Sequence, residues 1–375
     1  MTRMQRLRVT SGVFVLVILL GGYAFADLNP EDRQKLVVFL PETPELVKRL
    51  VVRLSGSQVV QTLPLINALA IKLPVGGIDE ALTFLLNHLA VAEVLDDLIA
   101  RVNPIIPIAR DQEPQEERYD WGLDQIGAPT VHQERPARSG AGVTVAVLDT
   151  GVDRRHPELR DKITRGYNAR PGESSYADQH GHGTHITGII AAVLNGKGII
   201  GVAPEVNIAA VKVLGPDGTG RTSEIIKGLE WVCDQDLRLV NLSLGFSGEN
   251  PPLEQATKRF KEDCRGIMVA ASGNYCSDDP GQNEGADSEG EGCIGSSNEV
   301  KSPARYPWVI AVGATNIDGE ITSYSLAGSP MRTAGVVAPG GEERGKRVLS
   351  TYLGGRLGEG SGTSQATAHV TGAAA

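Results

Sequence analysis

Four polar residues stand where acyl-transfer chemistry would need them. Asp149 closes an apolar run in V-L-D-T-G-V-D, and His182 opens a helical segment in H-G-H-G-T-H. Asn274 follows another apolar run in A-S-G-N, and Ser364 lies in the glycine-rich G-S-G-T-S-Q-A-T-A-H-V. A serine hydroxyl is a weak nucleophile until a base takes its proton. Histidine can be that base, because its pKa lies near neutrality. A buried carboxylate fixes the imidazole tautomer and stabilises its cation. A side-chain amide aimed at the developing oxyanion lowers the barrier further. Each residue also has a structural reading: Asp149 as a strand-end turn acid, Ser364 as a helix N-cap, Asn274 as a turn residue after Gly273. His180, His182 and His185 spell H-x-H-x-x-H, so a metal site has to be weighed, but no carboxylate or cysteine cluster completes one nearby. His185 is expected to be a buried, hydrogen-bonded helix residue.

The elements that must carry these groups follow from hydrophobic patterning. Apolar runs at 143–148, 206–214, 239–244, 267–271 and 309–312 read as buried strands. Helical segments at 182–194, 223–235 and 252–264 lie between them. Such alternation predicts an α/β fold, a parallel sheet with helices on both faces. In these folds the site lies beyond the carboxyl ends of the strands. Asp149, His182, Asn274 and Ser364 all sit at strand ends or helix starts, so one cleft can hold the four.

Residues 35–102 have a different rhythm. Strands at 35–40, 59–63, 66–73 and 91–102 alternate with helices at 44–54 and 79–89, in β-α-β-β-α-β order, a small ferredoxin-like α+β unit. The stretch 103–118 is rich in proline and charge and reads as an exposed linker, where proteolytic nicking concentrates. At the N-terminus Arg3, Arg6 and Arg8 precede an apolar run at 13–20 and then Ala24-Phe25-Ala26, the layout of a secretory signal peptide. The uncharged stretch 10–26 is shorter than the ~20 residues a spanning helix needs, so no stable membrane span is expected once the signal is cleaved; an uncleaved membrane anchor is the alternative reading. A net charge of −9 argues against a nucleic-acid partner. Export makes disulfides feasible, and the four cysteines are expected to pair as Cys233–Cys264 and Cys276–Cys293.

Taken together, V-A-V-L-D-T-G-V-D at 145–153, H-G-T-H-I-T-G at 182–188 and G-T-S-Q-A-T-A-H-V at 362–370 resemble the subtilisin-like secreted serine peptidases. V-N-L-S-L-G at 240–245, A-A-S-G-N at 270–274 and Y-P-W-V-I-A-V-G-A at 306–314 support the resemblance. The order Asp, His, Ser separates this family from trypsin-like and α/β-hydrolase enzymes. The resemblance implies a secreted or periplasmic serine endopeptidase acting on polypeptides through Asp149, His182 and Ser364, with Asn274 as oxyanion donor. It implies substrate-binding edges at Ser243, Leu244 and Gly245 and at Gly218, Thr219 and Gly220. It further implies a self-processing precursor with a signal peptide (1–26), an inhibitory pro-domain (27–103), a linker with the processing site (104–118) and a catalytic domain (119–375) whose C-terminus looks cut short. The pro-domain would be the chain's own intramolecular inhibitor. No cofactor is implied for the chemistry, but a structural calcium is, with Asn195, Glu158 and Glu117 as oxygen ligands beside the carbonyls of Lys197 and Ile199. The alternative is an inactive relative that binds peptides through the same cleft. Gln365 and Ala368 depart from the family's usual Met and Pro. The acidic loop between Cys276 and Cys293 reads either as a solvated insertion or as a preference for basic substrates; Lys301 and Arg305 nearby oppose the second reading.

Overall fold

The computed structural model describes residues 33–114, 116–134, 139–275, 299–328, 331, 335–342 and 344–375. The signal-peptide segment, the expected Cys276–Cys293 pair and its acidic loop lie outside the described residues.

The chain opens with β1 (Gln34–Phe39), α1 (Glu45–Leu54), β2 (Gln58–Leu63), β3 (Ala68–Lys72), α2 (Ile78–Asn87) and β4 (Val91–Asp96). The strands form an antiparallel sheet in the order β2-β3-β1-β4. Alternation along β1 divides its side chains between two faces. Val37 and Phe39 pack with Val51, Val52 and Leu85 of the unit's own helices. Leu36 and Val38 join the core of the larger unit that follows. Both faces are therefore covered. Each such buried aliphatic side chain contributes about 1.5–3 kcal/mol by leaving water.

The expected strand at 91–102 divides in two. β4 ends at Asp96, and β5 (Ile99–Arg101) leaves the small sheet to pair elsewhere. Asp97 makes the break. Its buried carboxylate accepts from Ser223 N at 2.9 Å and Ser223 Oγ at 2.7 Å, at the start of a helix in the larger unit. Next come β6 (Ile106–Pro107), α3 (Trp121–Gln125) and α4 (Ala128–Glu134).

The larger unit is built on β7 (Thr144–Asp149), β8 (Ile163–Asn168), α5 (His182–Ala191), β9 (Asn207–Lys212), β10 (Thr219–Arg221), α6 (Thr222–Asp234), β11 (Leu239–Leu242), α7 (Pro251–Asp263), β12 (Ile267–Ala271), β13 (Ile310–Thr315), β14 (Gly335–Pro339), β15 (Val348–Tyr352), β16 (Arg356–Gly360) and α8 (Thr363–Ala374). Seven strands make a parallel sheet in the order β14-β13-β12-β11-β7-β9-β8. The order reverses at β7, so the crevice beyond its carboxyl end is the place a ligand site is expected. A disulfide joins Cys233 at the end of α6 to Cys264 just past α7, with Cα atoms 5.5 Å apart.

Candidate active site

Asp149 is the last residue of β7 and is fully buried. His182 is the first residue of α5 and is almost as buried. His182 Nδ1 donates to Asp149 Oδ1 at 2.8 Å and lies 3.0 Å from Oδ2. An ionised carboxylate only accepts, so the imidazole proton sits on Nδ1 and Nε2 keeps its lone pair. Nε2 is buried and makes no hydrogen bond among the described residues. Thr150 N donates to the same Oδ1 at 2.7 Å. Gly183 makes this approach possible, because a Cβ there would come within 2.2 Å of Gly151 O.

Ser364 is the second residue of α8, where backbone N–H groups have no partner inside the helix and the dipole favours negative charge. Two reciprocal bonds tie it to the end of β11. Ser364 Oγ donates to Ser243 O at 3.0 Å, and Ser243 Oγ donates to Ser364 O at 2.9 Å. Asn241 Nδ2 donates to Ser243 Oγ, and Thr371 Oγ1 donates to Asn241 Oδ1, both at 2.9 Å. This chain pins α8 to the sheet. Asn241 is fully buried, so its Asn-Leu-Ser sequence is no glycosylation acceptor in the folded protein.

Asn274 follows β12. Its Oδ1 accepts from Thr363 N and Thr363 Oγ1, each at 3.0 Å. That leaves Nδ2 as the donating end, next to Gly362: a Cβ on Gly362 would lie 3.0 Å from it. Asp149, His182, Asn274 and Ser364 thus all lie at the carboxyl end of the sheet.

The cleft is occupied by the chain itself. β5 pairs antiparallel with β10, matching Thr219 to Arg101 and Gly220 to Ala100. Val102 N donates to Gly218 O at 3.1 Å. On the opposite side Arg101 bridges Gly245. Asn103 lines the same cavity as Ser243, Leu244, Asn274 and Ser364. Past that point Ile105 is buried, Ile106 pairs with Glu359 and Pro107 with Gly358. Asn103–Pro104 is the middle of the three peptide bonds between Val102 and Ile105. The stretch 103–118, expected to be an exposed linker, is mostly exposed but anchored along its length. Glu113 Oε1 accepts from Leu357 N at 3.0 Å.

Glu117, Glu158 and Asn195 also come together. Glu117 Oε1 accepts from Asn195 N at 2.7 Å and Gly196 N at 3.0 Å. Asn195 Nδ2 donates to Glu158 Oε2 at 2.9 Å, and Asn195 Oδ1 accepts from Lys197 N at 3.0 Å. Burial pushes the Glu158 carboxyl up to about 7, and the Glu117 charge adds to the rise. Among the described residues no group of three or more His, Cys, Asp and Glu could hold a metal ion. His185, weighed as a ligand, is fully buried and donates Nε2–H to Gly358 O at 3.2 Å. Burial holds it neutral, down to about 3.

Three positioning residues escaped the sequence. Asp178 accepts from Thr150 Oγ1, His180 N and Gly181 N with one oxygen and from Thr184 N and Thr184 Oγ1 with the other. It locks the first turn of α5 and so holds His182. An acid just ahead of a helix start was the available signal. Lys212, fully buried at the end of β9, donates from Nζ to Thr150 O at 2.6 Å and fixes the turn after Asp149. Thr363 orients Asn274. Nothing in the local sequence marks Lys212 or Thr363.

Comparison with known proteins agrees with this geometry. Residues 140–375 match the subtilase family. The chain belongs to the subtilase family. Subtilisin BL of Lederbergia lenta is 42% identical over 256 residues, which cover 68% of this chain and 82% of that protein. Subtilisin Savinase of the same organism is 41% identical with the same coverage. An alkaline protease of Alkalihalobacillus alcalophilus is 41% identical, with 58% of its length covered. This subtilase is therefore a serine endopeptidase with the family's α/β fold, acting on polypeptides. No helix among the described residues is long and apolar enough to cross a membrane.

Proposed function

We propose that this subtilase is exported as a latent precursor and hydrolyses peptide bonds with Ser364 as nucleophile. The observation that carries the reading is the buried Asp149–His182 pair, with Nδ1–H donated to the carboxylate, at the same end of the sheet as Ser364, which stands at a helix N-terminus. Rotation about Cα–Cβ turns the Ser364 hydroxyl from Ser243 O to His182 Nε2. Nε2 takes the hydroxyl proton as Oγ attacks the substrate carbonyl carbon. Asn274 Nδ2–H and the Ser364 backbone N–H hold the oxyanion. The imidazolium returns its proton to the leaving nitrogen, the C–N bond breaks, and water repeats the cycle on the acyl-enzyme. The edges at 218–220 and 243–245 hold substrate as an added strand, as they hold residues 99–102.

Residues 27–103 act in this reading as the inhibitory pro-domain, and 1–26 as the export signal. The bond carried across Ser364 is Asn103–Pro104. Its leaving nitrogen is tertiary and crowded by the proline ring, so protonation by His182 is hindered. The segment therefore blocks the cleft without being a good substrate, and one molecule cuts another within 104–118. Intact-mass measurement on residues 27–375 tests this. The parent is expected to be cut in that stretch at a per-molecule rate that rises with protein concentration, while Ser364→Ala stays whole. Cleavage of Ser364→Ala, or a rate independent of concentration, would overturn the scheme.

The chemistry requires no cofactor. A structural calcium is assigned in this reading to the loop at 195–199: Glu117 and Glu158 converge on Asn195, and a cation would stabilise the Glu158 carboxylate that burial, and to a lesser extent the Glu117 charge, disfavours. Calcium wants six to eight oxygens, so carbonyls from Lys197 and Ile199 would have to complete the set. Calcium is expected to raise Tm and excess chelator to lower it. An identical Tm in both conditions removes the site.

A further inference from the structure

The segment that fills the cleft stays anchored past Ser364. Beyond Asn103 and Pro104, Ile106 and Pro107 pair antiparallel with Glu359 and Gly358 of β16, and Ile108 N donates to Leu357 O at 3.1 Å. β16 therefore holds chain after the nucleophile as β10 holds it before. Positions two apart on a strand share a face. On one face of β16 two such positions are Gly358 and Gly360. Neither glycine has a φ in the left-handed region, so the backbone does not call for glycine at either place. A glycine inside a strand then marks a close approach by something else. That something is Ile105. A Cβ on Gly358 would lie 2.8 Å from Ile105 Cγ2, and one on Gly360 2.8 Å from Ile105 Cδ1. One side chain thus covers both glycines, and Ile105 is 5% exposed. The Gln365 side chain bounds the same space: the Cβ on Gly360 would lie 2.5 Å from Gln365 Nε2.

We infer that Gly358 and Gly360 floor a specificity pocket on the leaving-group side of the cleft, which receives the second residue after the cleaved bond and selects branched aliphatic side chains over glycine and alanine. The inference rests on the hydrolytic reading above, in which the Asn103–Pro104 bond lies across Ser364 and Ile105 is that second residue. Strand pairing supplies affinity without reading side chains, and the pocket supplies the choice. The chain's own segment thus sets a favoured anchor beside a poor scissile bond.

The test uses protein recovered after processing of the full chain and a peptide series with alanine directly after the cleaved bond, varied only at the next residue, the cut being located by mass. The expected kcat/KM for Ile or Leu exceeds that for Gly by about tenfold to a hundredfold, the range that burying one aliphatic side chain spans. Gly360→Ala puts a methyl group against the place that Ile105 Cδ1 now takes. The two atoms it meets most closely are the ends of the flexible Gln365 and Ile105 side chains, so β16 can accept it while the pocket is lost. The variant is expected to bring the Ile-to-Gly ratio toward unity. Each protein's own ratio is the readout, so partial loss of folded material does not affect it, and the parent's profile decides alone if the variant does not fold. Equal cleavage of the Ile and Gly peptides by the parent, or an unchanged ratio in Gly360→Ala, overturns the inference and leaves the hydrolytic reading intact. A processed protein that cuts none of the series overturns both.

Discussion

Replacing Asp149 by asparagine is expected to lower kcat by about 10⁴, with a much smaller change in KM. The side chains are nearly the same size, and the asparagine Oδ1 can still accept from Thr150 N, which bonds Asp149 Oδ1 at 2.7 Å. The change falls on the other end. At the Oδ2 position, 3.0 Å from His182 Nδ1, an amide N–H would compete with the Nδ1–H donation that Oδ1 now accepts at 2.8 Å. That N–H favours the ring tautomer with a lone pair at Nδ1 and the proton on Nε2. In that tautomer Nε2 cannot take the Ser364 proton. Steady-state kinetics on a peptide substrate checks the loss, and a thermal melt checks that the fold survives. A kcat within tenfold of the parent would mean that Asp149 does not set the tautomer.

The second large effect is expected at Asn274. Its substitution by alanine should cost about 10²–10³ in kcat, a magnitude taken over from subtilisin, where such a donor has been removed. Alanine also strips an acceptor from Thr363 N and Thr363 Oγ1, both bonded at 3.0 Å. Leaving such donors unsatisfied costs about 1–3 kcal/mol of stability. Asn274→Asp separates the two roles. It keeps an acceptor for Thr363 and loses the N–H that would face the oxyanion. The expected pattern is low kcat in both variants with the larger fall in Tm for alanine. A fully active Asn274→Asp would assign Asn274 to structure alone.

Which parts of this site were legible in the sequence follows from what local pattern can carry. The strands that became β7, β9, β11, β12 and β13 are predominantly apolar and mostly buried, and such runs announce themselves. Asp149, Asn274 and His182 were legible because each sits where a run stops or a helix begins. The Cys233–Cys264 bridge was legible because both residues close helices. By contrast β16 reads Arg-Leu-Gly-Glu-Gly, and nothing local makes that a strand. It is one because Leu349 and Ile106 lie on either side of Glu359. The break after Asp96 was hidden for the same reason: Asp97 turns toward Ser223, more than a hundred residues away in sequence, to cap another unit's helix. Asp178 and Lys212 gain meaning from partners that only the fold supplies.

The central claim is that His182, held by Asp149, activates Ser364. Fluorophosphonate labelling of the processed protein, located by peptide mapping, tests it most directly. The account predicts one label per molecule, carried by Ser364, and loss of that label in His182→Ala that has been cut in trans by the parent enzyme. Label on another residue, or undiminished labelling of Ser364 in His182→Ala, would contradict it.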